Sequence, residues 1–150
     1  MKRRFERGAQ IIEFALVLPV LLLILLLVID FGFLVYNKAV ITNASREAAR
    51  NGTVLSATPW STTNVGNIAC SYSRNLLIST NAGTRTATCS GSADPVIVVS
   101  NPNGNIPPQF GDPVTVQVTY NYRGFLLNTA STWVTSTLPP LTATTTMRHE

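Results

Sequence analysis

Charge is scarce in this chain: 11 Lys+Arg and 7 Asp+Glu in 150 residues make 12% charged, against roughly 25% in soluble domains. A solvated, charge-studded surface over the whole length is therefore excluded. Histidine is scarcer still, since His149 is alone and one residue from the C-terminus. That position predicts a mobile surface residue and removes the usual general base for a Ser or Cys nucleophile. No glycine-rich phosphate loop occurs, and Asp94 and Asp112 each precede a proline, a pattern of turns and not of paired catalytic carboxylates. The two cysteines, Cys70 and Cys89, have eighteen residues between them, which is neither a redox Cys-x-x-Cys nor a zinc set. We therefore assign no catalytic residue, no cofactor and no metal ligand. A membrane-tethered hydrolase would need a base and an orienting group that the chain does not offer. The net charge of +4 does not indicate a nucleic-acid partner either, because Lys2, Arg3, Arg4 and Arg7 against Glu6 concentrate +3 of it in the first eight residues.

What the chain does have is one long apolar run. From Ala9 to Ile29, 18 of 21 residues are apolar, the exceptions being Gln10, Glu13 and Pro19. Ile11 to Ile29 would extend about 28 Å as a helix, enough for a bilayer core. A cleaved secretory signal would have a shorter apolar core and a small-residue cleavage site directly after it, whereas here Asp30-Phe31-Gly32-Phe33 follows. The run predicts a single-pass anchor in contact with membrane lipid. Basic residues crowd its N-terminal side, which predicts a cytoplasmic N-terminus and an exported C-terminal portion. In the last 100 residues, 38 are Thr, Ser or Asn and seven are charged, a composition suited to an extracytoplasmic module.

Glu13 is costly near the edge of an apolar helix unless it stays near water or meets a cation. Its context is a short basic leader ending in Arg7-Gly8-Ala9, with Glu13 the fifth residue after Gly8 and the apolar helix following. The run Arg7-Gly8-Ala9-Gln10-Ile11-Ile12-Glu13-Phe14-Ala15-Leu16-Val17-Leu18-Pro19 resembles the start of TadE-like pseudopilins, minor components of Tad (tight adherence, Flp-type) pilus systems. Asp30-Phe31-Gly32, Tyr36 and the segment Thr42 to Arg50 are similar to the same family, and Leu141 to Arg148 is similar to its last strand. The resemblance implies cleavage between Gly8 and Ala9 by a prepilin peptidase, and partnership with other pilins and pseudopilins. It also implies that Glu13 of one subunit neutralises the N-terminal amine of a neighbour. Pro19 suits either a tolerated membrane proline or a functional kink.

Beyond the apolar run, the absence of proline up to Arg50 predicts that the helix continues, from Ala9 to Arg50, and stops at Asn51-Gly52. Its second half offers Ala39, Ala44, Ala48 and Ala49 as small packing positions and Phe31, Leu34, Val35 and Ile41 as larger ones. Residues 53–64 read as a linker, with Trp60 suited to the membrane interface or to a domain surface. Val65, Ile68, Ala69, Tyr72 and Leu76 fall at helical spacing, with a stop at Asn81-Ala82-Gly83. Residues 95–99 predict a short buried strand. Val114, Val116, Val118, Tyr120 and Tyr122 alternate with polar residues, and Leu141, Ala143, Thr145 and Met147 do likewise, so the two segments can pair antiparallel on the helix. Cys70 and Cys89 are expected to form a structural disulfide, with two free buried thiols as the alternative.

The expected architecture is α+β, with a leader at 1–8, a transmembrane and extended helix at 9–52, and an extracytoplasmic α+β domain at 53–150. The expected function is that of a non-enzymatic minor pseudopilin in the cell membrane, acting in pilus assembly and surface adhesion. The alternative is an uncleaved, signal-anchored surface module that recognises carbohydrate or protein.

Overall fold

In the computed structural model the described residues are 3–54, 60–78, 83–126 and 139–150, with side chains described from Gln10 onward. They form α1 (Arg3–Thr53), α2 (Thr62–Ser73), β1 (Val96–Ser100), β2 (Pro113–Tyr120) and β3 (Leu141–Arg148). The three strands make one antiparallel sheet in the order β1-β2-β3. The second half of α1 packs on β2 and β3, and α2 packs on α1 and β1. The α+β architecture is the one expected.

The core follows from two periodicities meeting. On α1, Asn37, Val40, Ile41, Ala44, Ser45, Ala48 and Ala49 are buried, at the three- and four-residue spacing that keeps side chains on one helix face. On β2, Val114, Val116, Val118 and Tyr120 are buried while Thr115, Gln117 and Thr119 are not, the alternation of a strand with one covered face. The alanines and Ser45 let α1 approach β3 closely, where the Ser45 and Thr145 hydroxyls meet at 2.8 Å. β2 and β3 pair Val114 with Met147, Val116 with Thr145, Val118 with Ala143 and Tyr120 with Leu141, which is the expected pairing.

Several expectations are corrected. α1 does not stop at Asn51-Gly52 but runs to Thr53. Gly52 packs closely there: a Cβ would sit 3.2 Å from Val114 and 3.3 Å from Val65, so those side chains would have to give by a few tenths of an ångström. The helix end is closed by partners distant in sequence, because the Trp60 indole donates to the Gly52 carbonyl at 2.9 Å and the Glu150 amide donates to the Thr53 carbonyl at 3.1 Å. Trp60 thereby belongs to the domain and not to the membrane interface. α2 begins inside the expected linker, since Ser61 caps it by accepting from the Thr63 and Asn64 amides.

α2 also ends early, at Ser73, before the expected stop at Asn81-Ala82-Gly83, of which Asn81 and Ala82 lie outside the described residues. The chain is pulled off the helix by Asn37, whose side chain accepts from the Ile78 amide at 2.8 Å and donates to its carbonyl at 2.6 Å. Arg85 then donates to the freed carbonyls of Arg74 and Leu77. The buried residue after the helix is Leu77, whereas Leu76 and Tyr72 are exposed. β1 is not buried: it lies at one edge of the sheet, with Val96 57% and Val98 50% exposed. His149 is not the surface residue expected. It is buried, and its amide and carbonyl are both bonded, to the Asp112 carbonyl and the Gly111 amide at 2.8 Å each. Of the helix positions expected to pack, Ile41, Ala44, Ala48 and Ala49 are buried and Leu34 is half-buried, but Ala39, Phe31 and Val35 are exposed.

Candidate functional site

The first half of α1 is bare. From Gln10 to Ile29 every residue is exposed, and the large apolar side chains there keep 39% to 69% of their surface open. This helix is long and apolar enough to cross a membrane, by its length and composition. Glu13 stands exposed near its beginning. Pro19 lies inside the helix, where its missing N–H leaves the Ala15 carbonyl without its usual donor. Gly8 and Ala9 fall within α1, before the residues whose side chains are described. Glu13 and Pro19 thus stand on the exposed part of α1, with the Gly8-Ala9 bond earlier on the same helix, and the three are strung along it and not gathered together.

Where the bare half meets the domain, Asp30 is wholly buried. Its carboxylate accepts from the Tyr122 hydroxyl at 3.0 Å, the Phe125 amide at 3.0 Å and the Leu126 amide at 2.8 Å. Such satisfaction is what a buried carboxylate requires, since an unpaired one costs several kcal/mol. Gly124 has no room for a side chain, because a Cβ there would strike the Asp30 carboxylate. Burial, and then the hydrogen bond to Asp30, hold the Tyr122 phenol well above the ordinary tyrosine range. Asp30 was visible in the sequence as the polar residue after the apolar run and as part of the Asp30-Phe31-Gly32 resemblance, but nothing in its surroundings announced partners more than ninety residues away.

A second carboxylate organises the far end of the domain. The Asp112 carboxylate accepts from the side chains of Asn105 at 2.8 Å, Asn103 at 2.6 Å and Asn101 at 3.3 Å, and from the Gln109 amide at 2.8 Å. The Asn105 and Asn103 amides, more than any other contact, hold its carboxyl far below the usual carboxylate range. Asp94 plays a similar part, accepting from the Thr86 amide and hydroxyl and from the Gly91 amide. Both are the turn residues expected. Cys70 and Cys89 are joined by a disulfide, with Cα atoms 5.7 Å apart. It ties α2 to the loop before β1.

Between α2 and β1 lies an open groove of about 390 Å³, lined by Thr62, Thr63, Asn67, Thr88, Ile97 and Val99 among others. Hydroxyls, an amide and aliphatic groups can bind but supply no titratable group. Among the described residues no three His, Cys, Asp or Glu side chains are grouped so as to hold a metal ion.

The family model described as TadE-like protein matches residues 8–50. That stretch opens at the Gly8-Ala9 bond and takes in Glu13, the apolar run, Asp30 and most of the buried face of α1. Searches of curated proteins and of solved structures return no match.

Proposed function

We propose that this chain is a membrane-anchored, TadE-like component of a Tad-type pilus system, acting by helix packing and subunit contact and not by catalysis. The observation that carries the reading is the coincidence of the TadE-like match over residues 8–50 with a helix whose first half is bare and apolar and whose second half carries the domain. In the membrane the bare half is solvated by lipid. In an assembly the same surface meets the helices of other pilins and pseudopilins. The domain is carried on the extracytoplasmic side.

Cleavage by a prepilin peptidase between Gly8 and Ala9 removes the cations of the leader and frees an amine. Because α1 begins at Arg3, that bond is helical in the uncleaved chain and has to unwind to enter a protease. A glycine costs a helix about 1 kcal/mol relative to alanine, so Gly8 lowers the work of unwinding. Glu13 of one subunit then pairs with the Ala9 amine of its neighbour, an interaction strengthened by the low dielectric of packed apolar helices.

Intact mass and N-terminal sequencing of the membrane-extracted protein, with and without the host's prepilin peptidase, test the reading. A chain that starts at Ala9 only when the peptidase is present supports it. A chain that keeps its leader in both hosts makes the protein a signal-anchored surface module instead.

A further inference from the structure

We propose that the loop 121–126 is a membrane-contact element that sets the domain down into the lipid headgroup layer, with Phe125 and Phe31 as its aromatic contacts. This rests on the reading of α1 as a membrane span.

The inference starts from where exposed charge ends on α1. Between Glu13 and Lys38 the only ionisable groups are the Tyr36 phenol and Asp30, and the Asp30 carboxylate is wholly buried, accepting from Tyr122, Phe125 and Leu126. Asp30 therefore does not mark the edge of the bilayer, although it ends the apolar run in the sequence. The stretch without an exposed charge is residues 14–37, about 36 Å of helix at about 1.5 Å per residue, against a hydrocarbon core of about 30 Å. Counted from Ile11, where the apolar span begins, that core is filled by about twenty residues, which reaches Asp30, so the headgroup layer begins at that height. The outer boundary of the lipid then lies beyond Asp30. Apolar surface remains open on this part of the helix, with Phe31 65%, Val35 51% and Tyr36 42% exposed.

The loop is fixed at the same height by its backbone. The Phe125 and Leu126 amides both donate to the Asp30 carboxylate, and Gly124 packs against it. A segment held this way cannot stand clear of a boundary that passes above Asp30. Its exposed aromatic side chain is Phe125, 60% open. Aromatic rings are the side chains most favoured at the membrane–water interface. At the opposite end of the domain Phe110, 90% exposed, adjoins Gly111, and the neighbouring His149-Glu150 segment bonds to the C-terminus of α1. That end is some 23 residues, or about 35 Å, further along α1 from Asp30.

The test uses the full chain, reconstituted in phosphatidylcholine–phosphatidylglycerol vesicles, with one nitroxide label per variant. Both native cysteines are in the disulfide and do not compete for label. The variants are Phe125→Cys, Phe31→Cys, Leu22→Cys in the bare half of α1, and Phe110→Cys. All four side chains are exposed, so each label leaves the core intact. Relaxation by oxygen reports lipid, and relaxation by a water-soluble nickel complex reports solvent.

The expected result is an oxygen-to-nickel ratio at positions 125 and 31 that lies between the high value at 22 and the low value at 110. A ratio at 125 equal to that at 110, with 22 still in lipid, overturns the contact and leaves the anchor standing. A label at 125 shielded from both relaxants means that protein covers the loop and overturns the lipid assignment. A label at 22 exposed to nickel removes the anchor and the contact together.

Discussion

Asp30 shows how much of this molecule rests on single side chains. Its carboxylate accepts from the Tyr122 hydroxyl and from the Phe125 and Leu126 amides at once. Asp30→Ala removes this shared acceptor, leaving the Tyr122 hydroxyl its longer bond to the residue-30 carbonyl at 3.4 Å, and each buried donor left unsatisfied costs about 1–3 kcal/mol. The variant should lose about 3 kcal/mol or more in chemical denaturation of the detergent-solubilised chain, followed by circular dichroism. A loss within about 0.5 kcal/mol of zero, the usual range for a surface substitution, would mean that the clamp is not holding the loop. Tyr122→Phe removes one bond to a charged group and should cost about 1.5–3 kcal/mol. The sequence made Asp30 noticeable through its position after Ile29, but a carboxylate at that point reads equally well as a solvated span end. Asn37 was invisible altogether, because an amide on a helix carries no periodic signal and its partner, Ile78, is 41 residues away.

At the scale of elements, legibility followed burial pattern. β2 was readable because one face is covered and one is open, so its polar and apolar residues alternate. β3 was readable for the same reason. β1 misled because a continuous run such as Val96-Ile97-Val98-Val99 has the composition of a strand buried on both faces, and nothing local distinguishes an edge. The end of α2 misled because it is set by tertiary ties from Asn37 and Arg85 and not by a stop residue. The link between α2 and the loop before β1 is the disulfide, which closes about 20 residues and contributes about 3 kcal/mol in the chain-entropy model. Paired Cys70→Ala and Cys89→Ala substitutions should lower stability by about that amount.

The loop around Asp112 should make the domain acid-sensitive. Its folded carboxyl titrates below the unfolded value near pH 4, so its contribution is complete above about pH 4 and is lost as pH falls toward the folded value. Asp112→Asn should flatten the pH dependence of the denaturation midpoint below about pH 4. An unchanged slope in that variant would assign the acid sensitivity to other carboxylates.

For the whole molecule, the division that matters lies inside one helix. The apolar density of residues 9–29 and the mixed composition of 30–50 announced two environments for α1, and the structure gives them as a bare half and a half built into the core. What composition could not place was the point where the domain takes hold. That point is Asp30, whose burial is decided by residues of a loop close to the C-terminal strand. The domain should therefore need α1 from Asp30 but not the bare half before it. A fragment of residues 30–150 should be soluble without detergent, keep the Cys70–Cys89 disulfide and melt cooperatively. A fragment of residues 38–150 retains Ile41, Ala44, Ala48 and Ala49 in the core but loses both the Asp30 carboxylate and the Asn37 amide, and with them the anchoring of residues 78 and 122–126. Its unfolding free energy should fall by at least the amount expected for Asp30→Ala, about 3 kcal/mol. Equal stability of the two fragments would separate the clamps from the folding unit and leave them only the task of fixing how the domain stands on its helix. Failure of both fragments to fold would instead make the bare half a part of the folding unit.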